Sequence, residues 1–164
     1  MNEMMKKKAE DTVSALKEKG LTAATAESCT GGMVSKFLTD VSGSSKVFFG
    51  GVVSYANEVK ENVLGVKSET LEKYGAVSEE TAKEMCEGAR RLMKTDVAVS
   101  TTGIAGPTGG TKEKPVGTVC FGINSKKGTS TCTQHFGDTL SRSEIRHKAA
   151  AFALELIRKE AEKI

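Results

Sequence analysis

Apolar and polar positions alternate in a way that lays out most of this chain. Ala9, Val13 and Leu16 recur at helical spacing between Met4 and Lys19, which predicts an amphipathic helix that Gly20 ends. Leu21 to Ala24 is an apolar run of strand length, and Met33 to Leu38 is helix-like. Asp40 to Ser45 is a polar turn. Val47 to Tyr55 is apolar and β-branched around Gly50-Gly51, which predicts a buried strand with a bulge or a close approach at the glycines. Helices are predicted over Asn57 to Leu64, over Ser68 to Tyr74 before Gly75, and from a Ser78 cap through Glu79-Glu80 to about Met93. Asp96 to Thr101 reads as a strand and Gly103 to Pro115 as a glycine-rich loop. Val116 to Asn124 and Gly128 to Phe136 form a hairpin about Ser125-Lys126-Lys127. Arg142 to Lys163 closes the chain as a helix with Ala149, Phe152, Leu156 and Ile157 on one face.

Helices and strands alternate and the one hairpin comes late. This predicts an α/β fold: a single three-layer α/β/α domain over residues 1–164, with a mixed, mostly parallel sheet and a late antiparallel hairpin. Ligand sites in such sheets gather beyond the carboxyl ends of the strands. Three loops qualify: Ala26–Gly32, Tyr55–Lys60 and Thr101–Gly110.

Bulk properties narrow the function classes. A length of 164 residues suits one domain with a real core. The net charge of +3 is mild, and much of it sits in Lys6-Lys7-Lys8; aromatics at 5% leave little to stack bases, so nucleic-acid binding is not expected. No apolar run approaches the roughly 18 residues of a membrane span, and the start lacks a signal-peptide apolar stretch, so a cytoplasmic location away from membranes is expected. Cys29, Cys86, Cys120 and Cys132 are scattered without a C-x-x-C pair, and His135 and His147 lie in different elements, so no metal site is expected. The amphipathic end helices would suit a homodimer.

The first loop, Ala26-Glu27-Ser28-Cys29-Thr30-Gly31-Gly32, sets hydroxyls and paired glycines between a strand and a helix. Backbone N–H groups at a helix start favour anions and developing oxyanions. Serine and threonine there are caps more often than nucleophiles, and Cys29 beside Ser28 is a rival nucleophile. In the second loop, Ser54-Tyr55-Ala56-Asn57-Glu58-Val59-Lys60, an Asn57 cap would put Lys60 in the first helical turn, where the dipole disfavours a cation. A partly buried lysine so placed has a lowered pKa and can serve as base to a serine. Holding an ordinary lysine neutral near neutral pH costs about 4 kcal/mol; the plain alternative is a surface lysine in a charged helix. The third loop, Thr101 to Lys112, lacks the order of a phosphate loop. It suits a supply of backbone N–H donors and the Thr102 hydroxyl. Arg142 and Arg146 lie one turn apart, either for solubility or as a bidentate phosphate clamp.

Four segments carry a resemblance: Thr25 to Gly32, Ser54 to Lys60, Gly75-Ala76-Val77-Ser78, and Thr102 to Gly110 followed by Lys114-Pro115-Val116-Gly117-Thr118-Val119. In these the chain closely resembles the CinA C-terminal domain family, whose members include stand-alone nicotinamide-nucleotide amidases, and the likeness runs from Met4 to Ile164. It looks like the stand-alone form. The resemblance implies hydrolysis of the carboxamide of nicotinamide mononucleotide to nicotinate mononucleotide and ammonia, as in pyridine-nucleotide salvage. The implied pair is Ser28 as nucleophile and Lys60 as base, working through an acyl-enzyme with no metal or organic cofactor. Substrate and oxyanion contacts are expected from Cys29, Thr30, Gly31, Gly32, Tyr55, Asn57, Thr102, Gly103, Gly106, Arg142 and Arg146. Glu27 has two open roles, orienting a substrate amide or capping the loop. The family pattern of Gly-Asp-Arg after the last strand is interrupted, since Thr139-Leu140-Ser141 separates Gly137-Asp138 from Arg142. Two other readings are a cysteine hydrolase using Cys29 and a non-catalytic nucleotide-binding or regulatory module.

Overall fold

A computed structural model describes residues 2–164. Strands β1 (Ala23–Glu27), β2 (Phe48–Val53), β3 (Val97–Gly103), β4 (Thr118–Ser125) and β5 (Gly128–His135) form one sheet in the order β2-β1-β3-β4-β5. β1 pairs in parallel with β2 and β3, and β4 pairs antiparallel with β3 and β5. Only β4 therefore runs against the rest, as the late hairpin predicts. Helices α1 (Glu3–Lys19), α2 (Met33–Thr39) and α6 (Arg142–Lys163) cover one face. Their core packs Val13, Leu16, Leu38, Leu154 and Ile157 with Val99 and Phe121 of the sheet. Helix α5 (Glu79–Met93) covers the other face, with α4 (Ser68–Tyr74) beside it. There Met85 and Ala89 meet Leu64, Val66 and the alanines of β1 and β3. The packing is close: a Cβ on Gly88 would come within 1.9 Å of the Leu64 carbonyl oxygen. The short α3 (Asn57–Asn62) links β2 to that turn.

Helix ends follow the local chemistry. Gly20 ends α1 in the left-handed conformation, Ser78 caps α5 by accepting from Thr81 N, and Ser141 and Glu144 form a capping box on α6.

Four expectations need correction. β1 begins at Ala23 and continues through Thr25 and Glu27, whose polar side chains are buried because α2 supplies partners for them. β2 is an edge strand rather than a buried one: alternate residues are exposed, Phe49 to 58%. Both of the glycine-pair alternatives occur beside it. The register steps past Phe49 between Ala23 and Ala24, and a Cβ on Gly51 would lie 2.2 Å from Thr25 Oγ1. Asn57 is not a cap, since Ala56 precedes the first helical residue without a side-chain bond, and Lys60 lies in the last turn of α3. Finally, β3 runs on through Thr101, Thr102 and Gly103.

Candidate active site

The ends of β1 and β3 set the position of Ser28. Its amide donates to Thr101 O at 2.9 Å, which carries the strand pairing one residue beyond β1. The chain then turns: Gly31 N donates to Ser28 O at 3.0 Å, and Gly31 and Gly32 take φ of 60° and 93°, the left-handed region that glycine enters freely.

Glu27 caps this loop. Its carboxylate, fully buried, accepts from Thr30 Oγ1 at 2.7 Å, Gly32 N at 3.0 Å, Val34 N at 3.0 Å, and both Ser35 N and Ser35 Oγ at 2.8 Å. Of its two open roles, the side chain fills the capping one, and α2's amides are spent on the protein's own carboxylate. Arg146 holds the loop from the other side, its Nε donating to Cys29 O and its Nη2 to Thr30 O, each at 3.1 Å.

Lys60 reaches Ser28 from α3. Nζ stands 3.2 Å from Ser28 Oγ and donates to Ser54 O at 2.7 Å, and the residue is 1% exposed. Among the described residues no carboxylate pairs with it. Burial lowers its pKa from the ordinary 10.5, so desolvation in place of the helix dipole favours the neutral amine. A neutral lysine accepts the Ser28 hydroxyl proton while still donating to Ser54 O.

The pair opens onto a cavity of about 200 Å³ lined by Ser28, Cys29, Tyr55, Asn57, Lys60, Ala76, Val77, Thr102, Gly103, Ala105 and Arg142. Pockets for whole drug-sized ligands run to roughly 300–1,000 Å³, so this space fits the reacting end of a substrate. At its rim Arg142 Nη1 donates to Gly106 O at 2.9 Å and Nη2 to Tyr55 Oη at 3.0 Å. The Thr102 hydroxyl donates to Ala76 O at 2.7 Å, tying the α4–α5 connection to β3.

The structure thus brings Ser28, Lys60, Cys29, Tyr55, Asn57, Thr102, Gly103 and Arg142 together. It places five expected contacts outside the cavity. The Thr30 hydroxyl turns inward to Glu27 and Thr101 Oγ1. The amides of Gly31 and Gly32 are already bonded, to Ser28 O and Glu27. Gly106 contributes its carbonyl to Arg142, and a Cβ there would meet Val116 Cγ1 at 2.5 Å. Arg146 is engaged with loop carbonyls and is no free half of a phosphate clamp. Cys29 is buried in the core cluster and its thiol is pushed up to about 12 by burial, so no thiolate forms near neutral pH.

Sequence reasoning gave no role to Ser54 O or to the walls Ala76, Val77 and Ala105. The Gly75-Ala76-Val77-Ser78 segment was conspicuous as a motif, but small apolar side chains announce no chemistry. Only the fold carries them across to Ser28.

Comparison with known proteins places the chain in a family and matches its fold. A family model described as CinA C-terminal domain matches residues 5–161. A CinA-like protein of Kosmotoga olearia is 51% identical over 150 residues, covering 92% of this chain and 36% of that protein. A CinA-like protein of Leptospira interrogans is 51% identical over 148 residues, covering 90% of this chain and 35% of that protein. The chain thus spans about a third of the length of these curated relatives. The crystal structure of a competence/damage inducible protein from Agrobacterium tumefaciens superposes with a TM-score of 0.92 at 40% identity, covering 95% of this chain and 94% of that one. A CinA superfamily protein from Klebsiella pneumoniae 700603 gives a TM-score of 0.92 at 32% identity, with both chains covered in full.

Proposed function

The chain belongs to the CinA C-terminal domain family, and from the Ser28–Lys60 pair we propose that it hydrolyses a primary carboxamide, that of nicotinamide mononucleotide. The observation that carries this reading is a buried lysine without a counter-ion, 3.2 Å from a serine hydroxyl at the mouth of a small cavity. A structural lysine would gain stability from a carboxylate or from solvent, and among the described residues this one has neither. Val77 and Ala105 offer apolar walls to a planar ring, and Arg142 brings a cation to the same cavity.

In the proposed reaction Ser28 Oγ attacks the carboxamide carbon while Lys60 Nζ takes the hydroxyl proton. The tetrahedral intermediate collapses as the C–N bond breaks, and Lys60 returns that proton to the departing nitrogen, which leaves as ammonia. Water then attacks the Ser28 ester with Lys60 again as base, releasing the carboxylate product and restoring the serine. Ser54 O orients Nζ throughout. Tyr55, Asn57 and Thr102 line the substrate's path.

The test is ammonia and nicotinate mononucleotide formation from nicotinamide mononucleotide by the purified chain. Stoichiometric release of both products supports the reading. Binding of the nucleotide without ammonia overturns it in favour of a non-catalytic nucleotide-binding module.

A further inference from the structure

We propose that the free edge of β2 is a docking surface for a second copy of this chain. The two β2 strands pair antiparallel about a two-fold axis at Val52, joining two five-stranded sheets into one. This goes beyond the proposed reaction and stands without it.

The backbone sets the surface. Ser54 N donates to Glu27 O at 2.8 Å, so Ser54 turns its backbone groups toward β1. Peptide groups alternate sides along a strand, so Val52 turns the same way while Gly51 and Val53 turn outward. Among the described residues no element beyond β2 takes up their amides. Edge strands are commonly kept from pairing by charge or proline, and Val47 to Asn57 contains neither. Its one irregularity is the register step at Phe49. The opposite edge, β5, differs in exposing polar Ser130, Thr131 and His135.

The side chains point to a second copy as the occupant. Val53 is 50% exposed and Tyr55 63%, beside the exposed Phe49, so three apolar or aromatic groups line one stretch of edge. The end helices, expected as dimer contacts, instead bury Val13, Leu16, Leu154 and Ile157 within the chain. About an axis at Val52, Gly51 of each protomer faces the partner's Val53. Each of these two pairs exchanges two N–H···O=C bonds through the outward groups. The bare glycine leaves room for the partner's Val53 side chain, and Phe49 lies opposite Tyr55. An axis at Gly51 would pair Val53 with Phe49 instead, at the step where regular alternation fails. Identical strands bring like charges together across a two-fold axis, and an uncharged strand avoids that repulsion. Because Tyr55 also lines the Ser28 cavity, the interface adjoins the site.

The experiment follows association of the full chain by sedimentation velocity over a micromolar dilution series. Val53→Lys and Val52→Cys are compared with wild type, and melting curves establish folding. Wild type is expected to sediment at twice the chain mass. Val53→Lys sets an ammonium on each side of the axis and should raise the dissociation constant by at least about 10²-fold. Val52→Cys places two thiols across the axis at the roughly 4.5 Å Cα separation of a non-hydrogen-bonded pair, within disulfide reach. Oxidised glutathione, taking up the two electrons and two protons, should therefore cross-link this variant and leave wild type uncross-linked. In wild type the Gly51 amide should exchange at least about 10²-fold more slowly at dimer concentrations than on dilution, which decides the matter even if Val53→Lys does not fold. A wild type that stays monomeric throughout overturns the proposal and leaves the edge to a strand of another protein. A dimer that survives Val53→Lys, or that Val52→Cys fails to cross-link, lies on another surface and overturns it too.

Discussion

Replacing Lys60 by methionine keeps the length and bulk of the side chain and removes its charge, and its effect on stability is opposite in sign to its effect on activity. In the folded chain Lys60 is buried, unpaired by any carboxylate, and its pKa is lowered from 10.5 by desolvation. The unfolded chain exposes it and lets it titrate near that ordinary value. Below the folded-state pKa both states hold the proton and the folded protein carries the whole desolvation penalty. Between the two values the unfolded chain binds more protons, so this group makes stability rise with pH, by up to about 1.4 kcal/mol per pH unit. Above 10.5 the penalty is gone. Lys60→Met lacks this dependence and carries instead a constant loss, since Ser54 O forfeits its 2.7 Å bond, at about 1–3 kcal/mol. The buried thiols of Cys29 and Cys86, both pushed up to about 12, lose stability above pH 9 in either protein, so they cancel in the difference. Urea unfolding at unit steps from pH 6 to 10 should show the variant's advantage over wild type shrinking as pH rises, while ammonia release is lost by at least about 10²-fold. Parallel stability curves for the two proteins would refute the claim that Lys60 pays a burial penalty.

Other substitutions separate the site's parts. Cys29→Ala should keep ammonia release within about threefold of wild type, and thiol reagents should leave the folded enzyme active, because its thiol stays protonated; inactivation would restore the cysteine nucleophile. Glu27→Gln sets an amide NH₂ against some of the five donors now facing the carboxylate. It should cost about 2–4 kcal/mol in urea unfolding, and a change under 0.5 kcal/mol (roughly the scatter of neutral surface changes) contradicts the capping role. Gly88→Ala drives a methyl into the Leu64 carbonyl, 1.9 Å away, and should destabilise by about 1–3 kcal/mol, read as a lowered melting temperature.

The fold was legible where apolar spacing and caps agree. Helices α4 and α6 fall on their predicted residues, and α1, α2 and α5 lie within a residue of them. β1 was displaced because Thr25 and Glu27 look like loop residues until α2 is present to bond them. β2 carries the apolar signature of a central strand, yet it lies at the sheet edge, and nothing local distinguishes the two. In the site, loop position made Ser28 and Lys60 candidates beside the plainer readings of a cap and a surface lysine, the resemblance to the CinA C-terminal domain family singled them out as a pair, and Arg142 stayed between solubility and phosphate binding. The lowered pKa of Lys60 was expected from burial and a helix dipole together; burial is what acts, because Lys60 lies in the last turn of α3 and not the first. Arg146 was read as a free cation because spacing on a helix gives no account of the carbonyls waiting opposite. Ala76, Val77 and Ala105 were invisible, because a wall needs only bulk.

The central claim is that Ser28 and Lys60 together cleave an amide. It is tested most directly by ammonia release from nicotinamide mononucleotide, measured side by side for wild type, Ser28→Ala, Lys60→Ala and Cys29→Ala. Turnover that survives Cys29→Ala and disappears in both other variants is the predicted result. Turnover that persists without Ser28 or without Lys60 would contradict the account.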